Sequence, residues 1–222
     1  MDVALGGQGA PLVPLGDKLL FSQYQACVNL GGIANISFDN SKGERLAFDI
    51  CEANMLLNHL SEKAGRPYDD NGSMARSGQI EPGLLSALNE LEFYKMQGAK
   101  SLGREWFESQ VLPIINASPL SVQDLLSTST EHIAMTVAQI LNQFQINEVL
   151  FSGGGAFNTF LLEKIQSHTK AKCNVGDNLI TNYKEALIFA LLGYLRVHHK
   201  PNILKSVTGS KENNIGGAVY CV

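Results

Sequence analysis

Hydrophobic and polar positions along this chain follow two periods, and the changes of period mark its elements. Residues 27–38 read CVNLGGIANISF, with Val28, Leu30, Ile36 and Phe38 favouring strands and two glycines and an asparagine interrupting them. The polar cluster at 39–43 predicts a turn, and residues 45–50 (RLAFDI) predict a second strand, antiparallel to the first across a hairpin. A helical period then takes over. Met55, Leu56, His59 and Leu60 predict a helix over 54–64 that Gly65 stops. Residues 66–72 (RPYDDNG) read as a polar loop. Leu84, Leu85, Leu88 and Leu91 mark another amphipathic helix, with Pro82 in its first turn. Further on, a helix carries Trp106, Phe107 and Val111, the spacing Ser121 to Asp124 fits a capping box opening a short helix, and a long helix over 131–144 buries Ile133, Val137, Ile140, Leu141 and Phe144.

The last third has a different grammar. Residues 148–152 (EVLFS) are too apolar for an exposed edge strand, and three glycines follow at once. A helix over about 158–169, a short strand over 172–175, an apolar helix over 184–197 and a closing strand over 215–222 complete the reading. With no internal repeat, the pattern is α/β: an antiparallel start followed by a strand–glycine–helix unit.

Composition narrows the class without naming a function. The 222 residues are 45% hydrophobic and 17% charged, enough to fill a core, and the formal net charge is −4. No basic stripe points to nucleic acid or an anionic membrane surface, and the longest apolar run, 186–192, is far too short to span a bilayer. Cys27, Cys51, Cys173 and Cys221 form no close pair and no signal peptide is visible. Free thiols in a soluble cytoplasmic protein are therefore expected, with disulfides formally open.

Candidate chemistry gathers at glycines. Gly31-Gly32 and Gly153-Gly154-Gly155 each follow a strand, where backbone N–H groups can converge on an anion. Neither turn is a P-loop or a dinucleotide fingerprint, and either alone is open to a purely structural reading; two in one α/β chain favour a nucleotide. Asn29 and Asn35 flank the first turn, as phosphate donors or as turn caps. Asp49, at the end of the second strand, suits a carboxylate that orients Mg²⁺ through water, or a helix N-cap. Asp2 stands before Gly6-Gly7-Gln8-Gly9, as a general base or as a solvated terminal residue. Glu185 reads as an acid in a helix's first turn, and Arg104 as an anion ligand or half of a surface ion pair. The histidines show no ligand spacing, no metal cluster is visible, and Ser152 lacks the esterase frame.

Several of these segments, taken in order, resemble one family. DVALGGQGAPLVP at 2–14, NLGGIANISF at 29–38, FDICEAN at 48–54, YDDNG at 68–72, KSLGREWF at 100–107, TEHIA at 130–134, SGGGAFN at 152–158, EALIFALL at 185–192 and VTGS at 207–210 resemble the anhydro-N-acetylmuramic acid kinases. FDICEAN stands where many members have a D-T-G-P-G-N run.

The resemblance implies an actin-like ATPase (ribonuclease H-like) lobe, a mixed sheet with helices on both faces. It implies an ATP- and Mg²⁺-dependent kinase that opens 1,6-anhydro-N-acetylmuramic acid with water and yields N-acetylmuramic acid 6-phosphate in peptidoglycan recycling. Asp2 takes the base position. Asn29, Gly31 and Gly32 take the phosphate turn, and Gly153, Gly154, Gly155 and Asn158 the turn near adenosine. Asp49, Arg104 and Glu185 are substrate or site-supporting candidates, with no direct protein ligand to the metal. Family members carry roughly another lobe before this point. The expectation is therefore a junction segment at 1–26 followed by a C-terminal lobe at 27–222 that is a poor kinase alone. A separate N-terminal lobe or a homodimer is the expected partner. The alternative is a non-catalytic nucleotide-binding or dimerisation remnant.

Overall fold

The computed structural model of the chain describes residues 1–96, 98 and 100–220. Its centre is one five-stranded mixed sheet in the order β3-β2-β1-β4-β5. β1 (Ala26–Leu30), β2 (Ile33–Asp39) and β3 (Arg45–Glu52) form an antiparallel meander, while β4 (Glu148–Ser152) runs parallel to β1 and β5 (Lys172–Val175) parallel to β4. Around it lie α1 (Val13–Leu20), α2 (Asn54–Lys63), α3 (Ser73–Ser77), α4 (Pro82–Asn89), α5 (Glu92–Lys95) and α6 (Arg104–Trp106). α6 passes through a π turn into α7 (Leu112–Ala117); then come α8 (Val122–Gln143), α9 (Thr159–His168), α10 (Asn178–Val197) and α11 (Lys205–Thr208).

Alternation along the strands divides the core in two. Val28, Leu30, Ile36, Phe38, Val149 and Phe151 face a large core closed by α2, α8 and α9. Cys27 and Leu150, one residue out of phase, face a smaller core with Leu15 and Phe21 on one side and Ile188, Leu192 and Leu195 of α10 on the other. Both faces of the central strands are thus buried, which is why β4 reads as a continuous apolar run. Helices cover both faces, as expected.

The departures have local causes. α1 was not legible, because Pro11, Pro14 and Gly16 read as loop; Pro14 sits in its first turn, and Gly16 is the point where α10 crosses. Ser121 caps Asp124 N–H as expected, yet the helix it opens runs unbroken to Gln143, absorbing the polar stretch Ser127–Thr130 into the buried interior. α10 starts at Asn178, capped by Asp177, so Glu185 lies two turns inside the helix and not in its first turn. The closing strand expected over 215–222 is absent through residue 220. Asn214 makes one isolated bridge to Ile203, and residues 221–222 lie outside the described residues. Cys27, Cys51 and Cys173 are free thiols, and Cys221 is likewise outside the described residues.

Candidate functional site

Strand register assembles a polar row from residues far apart in sequence. Ser152 pairs with Asn29 across β4 and β1, Asn29 with Asn35 across β1 and β2, and Asn35 with Asp49 across β2 and β3. The four residues cross the sheet in one line, at the end where β1 and β4 stop, and floor a cavity of about 290 Å³. α1 and α10 wall it with Asp17, Thr181, Asn182, Lys184 and Glu185. Among the described residues Lys184 is the only Lys or Arg on the lining, and it is already engaged. Its Nζ lies 2.7 Å from Asp17 Oδ1, and Ser37 Oγ donates to Asp17 Oδ2 at 2.6 Å. Arg45 Nη2 donates to Ser37 Oγ at 3.0 Å, so a buried chain of charge runs from the cavity into the sheet.

A second cavity, of about 570 Å³, adjoins the first. Asn54 and Asn58 of α2, the loop Tyr68–Asn71, Gly154, Gly155 and Asn158 line it, and Asn182 lines both cavities. The glycine turn after β4 is the seam between them. Gly153 has φ 83°, and a Cβ there would stand 2.5 Å from Asn29 Oδ1 and 3.0 Å from the Leu30 carbonyl oxygen. A Cβ on Gly155 would come 2.7 Å from Leu30 Cβ. On Gly154 it would meet nothing closer than 3.7 Å, so the protein leaves that position open. Asn158 caps α9, its Oδ1 accepting from Leu161 N–H at 3.0 Å.

The sequence candidates sort unevenly onto this geometry. Asn29, Asn35, Asp49, Gly153 and Glu185 share the first cavity; Gly154, Gly155 and Asn158 line the second. Gly31 and Gly32 line neither; their carbonyls instead accept from Ala53, Asn54 and Met55 and so cap α2. Asp49 is no helix cap: its Oδ2 accepts from Leu102 N–H at 2.8 Å and Ser101 Oγ at 3.1 Å, holding the loop before α6. Arg104 is exposed, paired with Glu108 at 2.7 Å, and lines neither cavity.

Asp2 departs most from expectation. It is neither solvated nor frayed, with 3% exposure. Oδ1 accepts from Thr208 Oγ1 and Asn214 Nδ2, both at 2.8 Å, and Oδ2 from Gly9 N–H at 2.8 Å. Burial alone raises such a carboxyl. Here the donors Asn214, Gly9, Thr208 and Ser210 outweigh it and hold the group at about 2. Asp2 borders a third, more apolar cavity beside α10, apart from the polar row. Asn182, Lys184, Asp17 and Asn54 carried no role in the sequence, and Ser152 was weighed there only against the esterase frame. Lys184 alone carried a signal: it occupies the same helical stripe as Thr181, Ile188, Leu192 and Leu195, where a lysine needs a partner.

A sequence profile described as anhydro-N-acetylmuramic acid kinase matches residues 1–222. The chain belongs to the anhydro-N-acetylmuramic acid kinase family. An anhydro-N-acetylmuramic acid kinase of Aliivibrio fischeri is 35% identical over 230 residues, covering 99% of this chain and 63% of that protein. One of Streptomyces coelicolor is 36% identical over 231 residues, covering 98% of this chain and 59% of that protein. The chain thus spans about three fifths of the length of these relatives. Among solved structures it is similar to the activator of the 2-hydroxyisocaproyl-CoA dehydratase from Clostridium difficile with bound ADPNP, at 15% identity and TM-score 0.53, covering 85% of this chain and 67% of that one. Component A of (R)-2-hydroxyglutaryl-CoA dehydratase from Acidaminococcus fermentans matches at 13% identity and TM-score 0.51, covering 79% and 63%. The family member described here therefore has the actin-like ATPase fold.

Proposed function

We propose that the paired cavities are the ATP site of an anhydro-N-acetylmuramic acid kinase, with phosphates over the polar row and adenosine in the larger cavity. The single observation that carries this is the Gly153–Gly155 turn at their seam, where backbone approaches a ligand with no side chain in the way at Gly154. The ADPNP bound by the Clostridium difficile activator supports a nucleotide for this fold. Asn29, Asn35 and Ser152 present neutral donors to phosphate oxygens. Mg²⁺ supplies charge neutralisation when bound. No three His, Cys, Asp or Glu side chains gather to hold a metal among the described residues. In this reading the cation would arrive as Mg-ATP, and Asp49 and Glu185 are the lining carboxylates that would hold its waters.

The reaction we assign is that of the family: water opens the 1,6-anhydro bond of anhydro-N-acetylmuramic acid and the γ-phosphoryl group passes to O6, in cytoplasmic peptidoglycan recycling. Asp2 is the base in this reading, so the sugar must reach the cavity beside α10. A second reading, a non-catalytic nucleotide-binding module, draws support from Asp2 itself. A carboxylate held at about 2 and already accepting three hydrogen bonds is a weak proton acceptor. The test is phosphate transfer from ATP to the anhydro sugar by this chain, alone and with the remaining lobe of a relative supplied in trans. Product formed only with the lobe supports the kinase; ADP binding with no product in either case leaves the module.

A further inference from the structure

A buried acid–imidazole pair, Glu52 and His132, lies where the end of β3 meets α8, its partners Asn89 and Tyr94 lining a separate surface cavity, and the nucleotide reading leaves it unused. Glu52 ends β3 with 1% exposure and His132 of α8 has none. Glu52 Oε1 faces His132 Nε2 at 3.7 Å, and neither atom has another partner. Tyr94 of α5 donates its hydroxyl to Glu52 Oε2, and His132 Nδ1 lies 2.6 Å from Asn89 Oδ1. The titratable groups around Glu52 are Tyr94, His132 and, beside it on β3, Cys51; no Lys or Arg pairs with it among the described residues.

Counting protons fixes the arrangement. With Asn89 Oδ1 as acceptor, Nδ1 carries the imidazole proton and Nε2 presents a lone pair to Oε1. Two lone pairs face each other unless one of the facing atoms, Glu52 Oε1 or His132 Nε2, carries a proton. Burial, with no cation to offset it, pushes the Glu52 carboxyl up to about 7 despite the Tyr94 hydrogen bond; burial likewise pushes His132 down to about 3. With Glu52 protonated and His132 neutral, the two groups face each other at 3.7 Å with no buried net charge.

Glu52 is joined by backbone to Asn54, two positions on. Ala53, Asn54 and Met55 donate their N–H groups to the Gly31 and Gly32 carbonyls, and Asn54 Nδ2 donates to the Leu30 carbonyl at 3.0 Å. Asn54 lines the second cavity. We propose that the Glu52–His132 pair is a proton-dependent positioning device for the β3–α2 junction, docking Asn54 for the cavity's ligand. Loss of the Glu52 proton to solvent leaves a buried charge, loosens the junction and weakens binding. The ligand half of this rests on the nucleotide reading above; Glu52 and His132 touch no ligand and are positioning residues.

Three measurements test it. Infrared difference spectra of wild type against Glu52→Gln should show a protonated carboxyl at about pH 6 that is gone at about pH 8.5. Mg-ADP affinity of wild type should fall roughly fivefold or more over that range relative to Glu52→Gln, in which the ligand's own titration remains. Tyr94→Phe, which removes a hydrogen bond to the carboxylate, should move the midpoint to higher pH. A Glu52 carboxylate at about pH 6, or equal pH profiles in wild type and Glu52→Gln, overturns the proposal. Should Mg-ADP bind at neither pH, the nucleotide reading falls. Amide exchange at Asn54 and Met55, which must accelerate with pH more in wild type than in Glu52→Gln, still decides the positioning role.

Discussion

Three glycines in a row make three different demands, and Gly154 is the one that reports on the ligand. At Gly153 a side chain meets Asn29 and the Leu30 carbonyl at a left-handed φ, so Gly153→Ala should cost about 1–3 kcal/mol and lower the melting temperature. Gly154→Ala meets only Asn54 Nδ2, at an ordinary 3.7 Å, and should melt within about 0.5 kcal/mol of wild type while weakening ADP binding. Unchanged ADP affinity in a well-folded Gly154→Ala would return the turn to a purely structural role. At Asp2 the same kind of accounting predicts a structural cost besides any catalytic one. Asp2→Asn cannot take three donors as an anion does, and should destabilise by about 1–3 kcal/mol at neutral pH. The sign of its pH dependence follows from a folded value of about 2, below the ordinary 3.8. The contribution is present above about 3.8 and lost as pH falls through about 2, so wild type and Asp2→Asn should converge in acid. Glu52 has the opposite sign. Its folded value of about 7 lies above the ordinary 4.5, so its contribution is full below 4.5 and lost as pH rises through 7. Glu52→Gln should therefore gain stability, at most about 3 kcal/mol, at alkaline and not at acid pH.

The crossing of α1 and α10 decides whether the walls of the first cavity stand where they do. A Cβ on Gly16 would overlap the Ile188 side chain, so Gly16→Ala overpacks the contact and should cost about 1–3 kcal/mol. The double variant Gly16→Ala/Ile188→Ala removes the two nearest obstructing atoms, Ile188 Cγ2 and Cγ1, leaving only its Cβ at 2.9 Å, and should be more stable than the sum of the two single effects. Strict additivity by denaturant unfolding would show that the helices do not meet there. The same crossing explains what the sequence shows and hides. β3, β4 and β5 were legible because their residues alternate or run apolar between turn clusters, and α9 because Asn158 caps it after the glycines; β1 and β2 read as one interrupted strand, where the chain instead reverses at Gly31-Gly32 and pairs with itself. α1 was hidden because the glycine that permits its packing reads, in one dimension, as a breaker. The site was legible where a glycine or asparagine adjoins a strand. It was not legible where register or crossing brings in a distant partner: Ser152 reaches Asn29 across 123 positions, and Lys184 reaches Asp17 across 167. Arg104 illustrates the reverse, a charged residue beside a glycine that finds only its neighbour one helical turn on.

For the whole molecule, the unresolved demand is the outer face of α10. The helix is apolar nearly all round, yet only Thr181, Lys184, Ile188, Leu192 and Leu195 are buried. Tyr183 is 61% exposed, Leu187 43% and Val197 63%, with Leu179 and Tyr194 alongside them. A helix hydrophobic on every side is ordinarily covered on every side. The Aliivibrio fischeri relative is matched over 63% of its length, so more than a third of it has no counterpart here. Where the remaining lobe of such a relative binds in trans, this face is its predicted contact, since no other described helix leaves so many large apolar side chains in solvent. Leu187→Glu tests the assignment cleanly because Leu187 belongs to neither core. The variant should melt within about 0.5 kcal/mol of wild type. Transferring the buried leucine's share of the contact to a charge should weaken lobe binding by about 2 kcal/mol or more, some thirtyfold in affinity. Equal lobe affinity for wild type and Leu187→Glu would move the contact elsewhere. Loss of binding together with loss of lobe-dependent phosphate transfer would tie the apolar face of α10 to the assembly of the two-cavity site.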